Sequence, residues 1–245
     1  MLDELAHLPE KTRKELQEAV SFAGVALDDA LEAALLIGPA VHADRSDRAL
    51  NPELLLVVSG LEIAPMTALA EAMHPFARKG LRFRTVTTEE LRDGLDVYAL
   101  EIAEWKRHHI VLHGDDPLAA LEPAASDLRH EIERSVRGVN RRVRNRVLQG
   151  MADHARDLDP VLVVAFEHLL VAARHAMHLA KVDVPPRERE LLEAFSRWLG
   201  LESDPSASLF ARLRAGDRGR RPLEDLAVLR ELLDAACRRV DTLEV

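Results

Sequence analysis

The chain has 245 residues, 47% of them hydrophobic, which is enough for one large domain or two small domains with a real core. Its formal net charge of −9 argues against general binding of DNA or membrane surfaces, but leaves room for a local basic patch. Cys237 is the only cysteine, which excludes intrachain disulfides and thiolate zinc clusters. No apolar run reaches the ~20 residues of a membrane span, and we expect a cytoplasmic protein.

The first half of the sequence alternates helix-like and strand-like patterns. A helix is predicted over 10–23, followed by a strand, "EAALLIG", that runs into a turn at Gly38. A polar loop then precedes "ELLLVV", a continuous apolar run typical of a strand covered on both faces. A second helix is predicted over 65–79, then a strand, "LRFRTV", and a short helix or turn that starts at Thr87 or Thr88 with Glu90.

The segment "DVYALEIAEWKRHHIVLHG" closes the first half of the sequence. We predict a strand for its first part and a helix for its second part. The text that follows has helical periodicity broken by Pro and Gly. A domain boundary is therefore predicted near Gly114 to Pro117, which divides the chain into domains 1–115 and 116–245.

The second half predicts an all-helical bundle. Apolar residues step by three and four from Leu121 to Val147, which indicates one long helix with a single apolar stripe. A more buried helix begins at Asp159-Pro160, and three shorter helices follow. The predicted fold class is α+β, a small α/β domain followed by a helical bundle.

This order of elements, with a glycine turn, a polar loop and an apolar strand, resembles the DNA polymerase β-like nucleotidyltransferase superfamily. In that superfamily, a Gly-Ser turn touches the nucleotide phosphates, and Ser-Asp-x-Asp precedes the apolar strand. Acids at i and i+2 of a strand point to one face, so both can hold Mg²⁺ against a triphosphate. The resemblance implies a mixed-sheet nucleotidyltransferase-like domain, with Gly38 and Asn51 at nucleotide-binding positions.

Two further stretches, "DVYALEIAEWKRHHIVLHGDDPL" and "LRHEIERSVR", extend the likeness over most of the chain. They resemble a bacterial branch of the superfamily in which a small transferase domain precedes a helical domain. This likeness implies an interdomain cleft that contains Asp96, Glu101, Arg129 and Arg137. The two arginines are the candidates for contacting an anionic ligand or a carboxylate of the first domain.

The sequence departs from the superfamily at the expected metal site. Pro39 replaces the serine of the turn, which removes a hydroxyl and a backbone N–H that could bind phosphate. Aligning the motif on "NPELLLVV" puts Pro52 at the first acid and Leu54 at the second. Glu53 lies between them, so its side chain is expected to leave from the other face of the strand.

Two classes of function remain open. Because the acid pair is missing, we predict a catalytically degenerate nucleotidyltransferase-fold protein that binds a nucleotide, a partner chain or another copy of itself. The alternative is an active enzyme that transfers a nucleoside monophosphate to a small molecule or protein, with Mg²⁺ and a nucleoside triphosphate as cofactors and Glu53 as a metal-binding carboxylate. A weaker alternative is an antitoxin-like partner of a helical ribonuclease. Neither a membrane nor nucleic acid is expected as a partner.

Other polar patterns have a chemical and a structural interpretation. The arginine-rich run over 129–146 either meets phosphate or forms a solvated helix face paired with Glu131 and Glu133, which is favoured. His109 and His113 lack an evident third ligand, which favours a structural or exposed pair over a metal site. One polar stripe is either the solvent side of a core helix or a wall of the interdomain cleft: Glu167, His168, Arg174, His175, His178 and Lys181.

Overall fold

The computed structural model describes residues 5–41, 52–152, 158–201, 205–217 and 222–244. The chain divides into two compact units, Met1–Pro123 and Ala124–Val245. The first unit therefore extends past the predicted boundary at Asp115. Leu118 and Leu121 account for this difference, because both are buried in a hydrophobic cluster with residues of the first unit.

The first unit contains a four-stranded sheet and four α-helices among its described residues. A single-turn 3₁₀ helix, Asp28–Ala30, connects the first helix to the first strand, and another, Gly38–Val41, follows that strand. The elements in chain order are α1 (Glu10–Leu27), β1 (Leu31–Ile37), β2 (Glu53–Val58), α2 (Ile63–Ala77), β3 (Arg82–Thr87), α3 (Thr88–Asp93), α4 (Ala99–Arg107) and β4 (His109–Gly114).

The sheet is mixed, with the strand order β3-β2-β1-β4. Strand β1 is antiparallel to both β2 and β4, whereas β2 and β3 are parallel. The parallel pair places Glu53 opposite Arg82 and Leu55 opposite Arg84. This mixed sheet and the helical second unit confirm the α+β fold class expected from the sequence.

Two hydrophobic clusters cover opposite faces of the sheet. Leu54 and Leu56 of β2 belong to the cluster that includes residues of α1 and α2. Leu55 and Val57 belong to the other cluster, which includes residues of α3 and α4. Because side chains alternate along a strand, β2 must be apolar at successive positions to fill both clusters, which explains the continuous run "LLLVV".

The start of α3 follows from local hydrogen bonding. The Thr87 side chain accepts a hydrogen bond from the Glu90 backbone N–H at 3.0 Å, and the Glu90 carboxylate accepts one from the Thr87 backbone N–H at 2.7 Å. This capping box satisfies two backbone donors at the end of the helix. It confirms the helix start predicted from this part of the sequence.

The order of elements predicted for "DVYALEIAEWKRHHIVLHG" was wrong. The helix α4 comes first and the strand β4 second. The helix buries Ala99 and Ile102 at a spacing of three residues, whereas Val97 and Tyr98, which suggested a strand, are exposed. The apolar run after His108 and His109 has the length of a short edge strand. Ile110, the first residue of this run, is buried in the cluster with α1 and α2.

The second unit is helical throughout its described secondary structure, as predicted. Its helices are α5 (Ala125–Ala152), α6 (Asp159–Leu179), α7 (Glu188–Trp198), α8 (Ser206–Arg214) and α9 (Pro222–Asp241). Among the described residues, α6 alone is long and apolar enough to cross a membrane. However, 61% of its most apolar window is buried inside the protein, as in the core helix of a globular unit, so its composition is weak evidence for a span.

Replacing Val57 with Ala tests the core assignment of β2. Val57 is 0% exposed, and we expect its truncation to destabilise the first unit by about 2–3 kcal/mol because it removes apolar contacts and leaves a cavity. The matched change Val25→Ala, at a residue that is 84% exposed, should alter stability by no more than about 0.5 kcal/mol.

The measurement is urea unfolding of the full chain, followed by tryptophan fluorescence. The chain has two tryptophans, so a Trp198→Phe background leaves Trp105 of α4 as a reporter of the first unit. Equal effects of the two valine changes would contradict the assignment of Val57 to the core.

Candidate functional site

The glycine turn after β1 lies next to the first residue of β2. Gly38 has φ +74°, a backbone conformation that favours glycine. A Cβ atom at this position would lie 3.7 Å from Glu53 Oε2, so there is room for one, and the constraint on Gly38 comes from the backbone. Asn51, the other predicted nucleotide-binding residue, lies outside the described residues, as do Asp44 and Asp47, the two aspartates of the predicted polar loop.

Glu53 leaves β2 from the face opposite to that of Leu54, which is the alternation expected from the sequence, and it lies beside the glycine turn. Leu54 is fully buried on the sheet face that packs against α1 and α2, so its position cannot hold a metal. Glu53 is on the opposite face, with Leu55 and Val57.

A guanidinium joins two carboxylates at this position. Arg84 Nε donates a hydrogen bond to Glu53 Oε1, and Arg84 Nη1 donates one to Glu101 Oε1. Strand β2 supplies Glu53, β3 supplies Arg84 and α4 supplies Glu101. The parallel register brings the first two together, because Arg84 is opposite Leu55 and the side chain of Glu53 leaves from the same face as that of Leu55.

The side chains of Glu53 and Arg84 differ in solvent exposure. The Glu53 side chain is only 12% exposed, whereas that of Arg84 is 51% exposed. Partial burial lowers the pKa of Arg84, while the Glu53 and Glu101 carboxylates raise it, and the net shift is upward. The guanidinium is therefore a permanent positive charge, held beside a carboxylate that is largely removed from water.

The described residues do not fit the metal clamp that the superfamily implies. Mg²⁺ needs oxygen ligands in a nearly octahedral arrangement, and here both carboxylates already bind a guanidinium whose charge repels a divalent cation. No group of three or more His, Cys, Asp and Glu side chains within the described ranges could hold a metal ion. The arrangement instead exposes the Arg84 guanidinium at the surface of the sheet, where it forms ion pairs with Glu53 and Glu101.

A small hollow adjoins this network. It has a volume of about 190 Å³, and its lining includes Arg84, Glu101, Tyr98 and Trp105. This volume is below the roughly 300–1,000 Å³ typical of ligand pockets, so the hollow can take a small polar or aromatic group and not a whole nucleotide.

Sequence reasoning missed Arg84 and Trp105. The available signal for Arg84 was "RFR", which puts two arginines on one face of a strand. That pattern identifies a partner for Glu53 only when the parallel pairing of β2 and β3 is known.

The residues predicted to line an interdomain cleft have different local environments. Asp96 is exposed in the turn between α3 and α4. Arg129 donates to the Val240 carbonyl at 3.3 Å and forms an ion pair with Glu133 at 3.5 Å. Arg137 pairs with Glu133 at 2.8 Å and with Asp241 at 3.2 Å. The carboxylate partners of both arginines therefore belong to the helical unit.

His109, the first residue of β4, contacts a residue on either side of that strand. Its Nδ1 lies 2.9 Å from the Trp105 carbonyl, and its Nε2 lies 3.3 Å from Asp116 Oδ2. His113 is exposed on the same strand. These contacts agree with the structural interpretation of the pair.

The polar stripe on α6 divides into two sets. Arg174 and His175 are only 4% and 3% exposed. Glu167, His168 and His178 are exposed, and Glu167 forms an ion pair with Arg214 at 2.9 Å. The solvent-side interpretation therefore fits the exposed residues and does not fit Arg174 and His175.

Comparisons with known proteins support the fold. No protein family matches the sequence, and no curated protein matches it. Among solved structures, the chain is similar to the spectinomycin adenyltransferase of Enterococcus faecialis, solved with ATP and spectinomycin. The similarity has a TM-score of 0.61 and covers 94% of this chain and 99% of that chain, at 14% sequence identity. At this identity the likeness shows the fold alone, which is nucleotidyltransferase-like.

Replacing Gly38 with Ala tests the constraint at the turn. We expect a loss of about 1–2 kcal/mol, because a residue with a Cβ is strained at positive φ even though the side chain has room. Gly60→Ala is the matched control, since a Cβ there meets nothing within 4 Å, and its effect should stay within about 0.5 kcal/mol. Urea unfolding monitored through Trp105 measures both changes. A neutral Gly38→Ala would contradict the requirement for a left-handed residue.

Proposed function

We propose that this chain is a catalytically degenerate member of the nucleotidyltransferase fold that binds a nucleotide or a protein partner without a catalytic metal. The observation that carries the proposal is the Arg84 guanidinium between Glu53 and Glu101. In this position the guanidinium binds both carboxylates that a metal ion at this place would need. A cytoplasmic location and a homo-oligomeric or protein partner belong to the same proposal.

A fixed guanidinium cannot replace the chemistry of a metal. A metal clamp stabilises the attacking and leaving oxygens of a phosphoryl transfer, and its loss removes several kcal/mol of transition-state stabilisation. Arg84 carries one charge and has no open coordination position. This difference favours binding over catalysis.

The same guanidinium supports binding of phosphate. An arginine side chain has five N–H donors, of which the contacts with Glu53 and Glu101 use two. Arg84 is 51% exposed, so its remaining donors can reach a ligand in the solvent. Arginine is also suited to phosphate because its planar donors match the oxygens of the anion. ATP is the nucleotide to test first, since the similar adenyltransferase was solved with it.

One observation favours the alternative of an active enzyme. The Glu53 and Glu101 carboxylates converge on one face of the sheet, and Glu53 lies beside the Gly38 turn. An ion pair as exposed as Arg84 with Glu101 contributes roughly 1 kcal/mol or less, so a ligand could displace it. Catalysis would then require Arg84 to leave both carboxylates before a metal enters.

The first test separates these functions by their dependence on Mg²⁺. We expect ATP to shift the thermal unfolding midpoint of the full chain by the same amount, or by less, when Mg²⁺ is added, because no carboxylate pair is free to hold the metal. The measurement is a thermal scan with ATP, with and without Mg²⁺, on the wild type and Glu53→Gln. A clear Mg²⁺-dependent increase that Glu53→Gln abolishes would overturn the proposal in favour of the active enzyme.

The second test removes the guanidinium. Arg84→Gln leaves Glu53 and Glu101 without their cation, so we expect the variant to bind Mn²⁺ more tightly than the wild type, as measured by electron paramagnetic resonance of free Mn²⁺. Arg92→Gln, an equal charge change at an exposed residue of α3, is the control and should not increase the affinity for Mn²⁺.

Adding Glu101→Gln to the Arg84→Gln variant should remove the new Mn²⁺ affinity. An Arg84→Gln variant that binds Mn²⁺ no better than the wild type would show that Arg84 does not occupy the position of a metal. That result would remove the main support for the proposed function.

A further inference from the structure

A groove on the helical unit concentrates positive charge on a chain whose net charge is −9. It has a volume of about 600 Å³ and lies between α5 and α9. We call it the arginine groove after the five arginines that line it: Arg134, Arg137, Arg141, Arg144 and Arg238.

Helical periodicity explains the alignment of the arginines. The four on α5 follow one another at steps of three, four and three residues, so they form a single row on one helix face. At 1.5 Å per residue, the row is about 15 Å long. Their side chains are exposed at the surface of the unit, where a ligand from solution can reach them.

Hydrogen bonds between the two helices hold the groove in shape. Asn140 Nδ2 donates to Asp234 Oδ1 at 2.8 Å, and Arg137 Nη2 donates to Asp241 Oδ1 at 3.2 Å. Both bonds join α5 to α9. The groove is therefore preorganised, which reduces the entropy that a ligand must overcome on binding.

The arginines differ in whether they already have a carboxylate partner. Arg134 pairs with Glu131 at 2.7 Å, and Arg137 pairs with Glu133 at 2.8 Å, as the structural interpretation of the arginine run predicts. Three of the five form no ion pair with any residue that the structure describes: Arg141, Arg144 and Arg238.

The acidic and ionisable groups in the groove do not neutralise these three charges. Asp234 is the only carboxylate in the described lining, and it already accepts a hydrogen bond from Asn140 and lies 3.8 Å from Arg230. Burial raises the pKa of the Cys237 thiol, so it stays neutral near pH 7. Three exposed guanidiniums in one groove, without an ion-pair partner among the described residues, are electrostatically complementary to an anionic ligand.

We propose that the arginine groove binds a compact polyphosphate, either inorganic or the phosphate chain of a nucleotide. A triphosphate carries three or more negative charges, which match the three unpaired guanidiniums. Its oxygens suit the planar donors of arginine, and the volume of the groove lies within the range typical of small-molecule sites.

The lining of the groove favours a small ligand over single-stranded nucleic acid. Proteins that bind single strands combine positive charge with aromatic side chains on which bases stack. Arginine, glycine, asparagine, aspartate and cysteine make up the described lining, with no aromatic residue among them. The groove therefore recognises phosphate groups and offers no stacking surface for bases.

Calorimetric titration of the full chain with inorganic tripolyphosphate at low ionic strength tests the proposal. We expect one ligand per chain, with an affinity that falls as salt is added, because the interaction is between exposed charges. The double change Arg141→Gln/Arg144→Gln should raise the dissociation constant at least tenfold, since it removes two of the three unpaired guanidiniums.

The matched control is Arg142→Gln/Arg146→Gln. These arginines are on the same helix and are also exposed, but they line a different pocket against α6. The control removes the same amount of charge, but outside the arginine groove. It should therefore leave the affinity unchanged within about twofold. Absence of binding by the wild type, or an equal loss in both double variants, would overturn the proposal, because the second result is what non-specific attraction predicts.

Two further titrants identify the source of the phosphate groups and test a larger ligand. If Mg²⁺-free ATP binds and loses affinity in Arg141→Gln/Arg144→Gln as tripolyphosphate does, the groove takes the phosphate chain of a nucleotide. If only tripolyphosphate shows this loss, the ligand is inorganic. Tighter binding of a single-stranded RNA oligonucleotide than of tripolyphosphate, lost in the same variant, would overturn the assignment to a compact ligand.

Discussion

Burial of β2 on both faces is the constraint on which the first unit depends. Leu54 and Leu56 fill the cluster with α1 and α2, and Leu55 and Val57 fill the cluster on the other face, so β2 has no polar residue after Glu53. A polar side chain is therefore accommodated on β2 only where this strand begins. Glu53 occupies that position, beside the glycine turn, and the chemistry of this face therefore depends on what surrounds a single carboxylate.

Charge balance explains how this carboxylate is kept in a largely buried place. An ionised carboxylate removed from water needs a partner, and the neighbouring parallel strand supplies one in Arg84. Glu101 then balances the guanidinium from α4. Both carboxylates are therefore balanced by a side chain of the protein itself.

The parts of the structure that were predicted from the sequence are those that depend on local periodicity. The apolar stripe of α5, the start of α6 and the capping box of α3 each involve residues close together in sequence. The facing of Glu53 opposite to Leu54 was also predicted, because side chains alternate along a strand. Arg84 was missed because its contact with Glu53 depends on the pairing of two strands, which no local pattern specifies. The predicted order of α4 and β4 was wrong because a short apolar run fits the helical period and the strand period equally well.

The arginines of α5 fall into two groups. The groups differ in whether each guanidinium has a carboxylate partner. Along α5, Arg129, Arg134 and Arg137 have carboxylate partners in their own unit, and they stabilise the helix and its contact with α9. One to two turns further on, Arg141 and Arg144 have no such partner among the described residues. Glu131 and Glu133 accompany the start of the row, whereas α5 contains no acidic residue after Glu133. The change along one row of the same helix, from paired to unpaired charge, is therefore the feature that separates a structural surface from a surface suited to an anion.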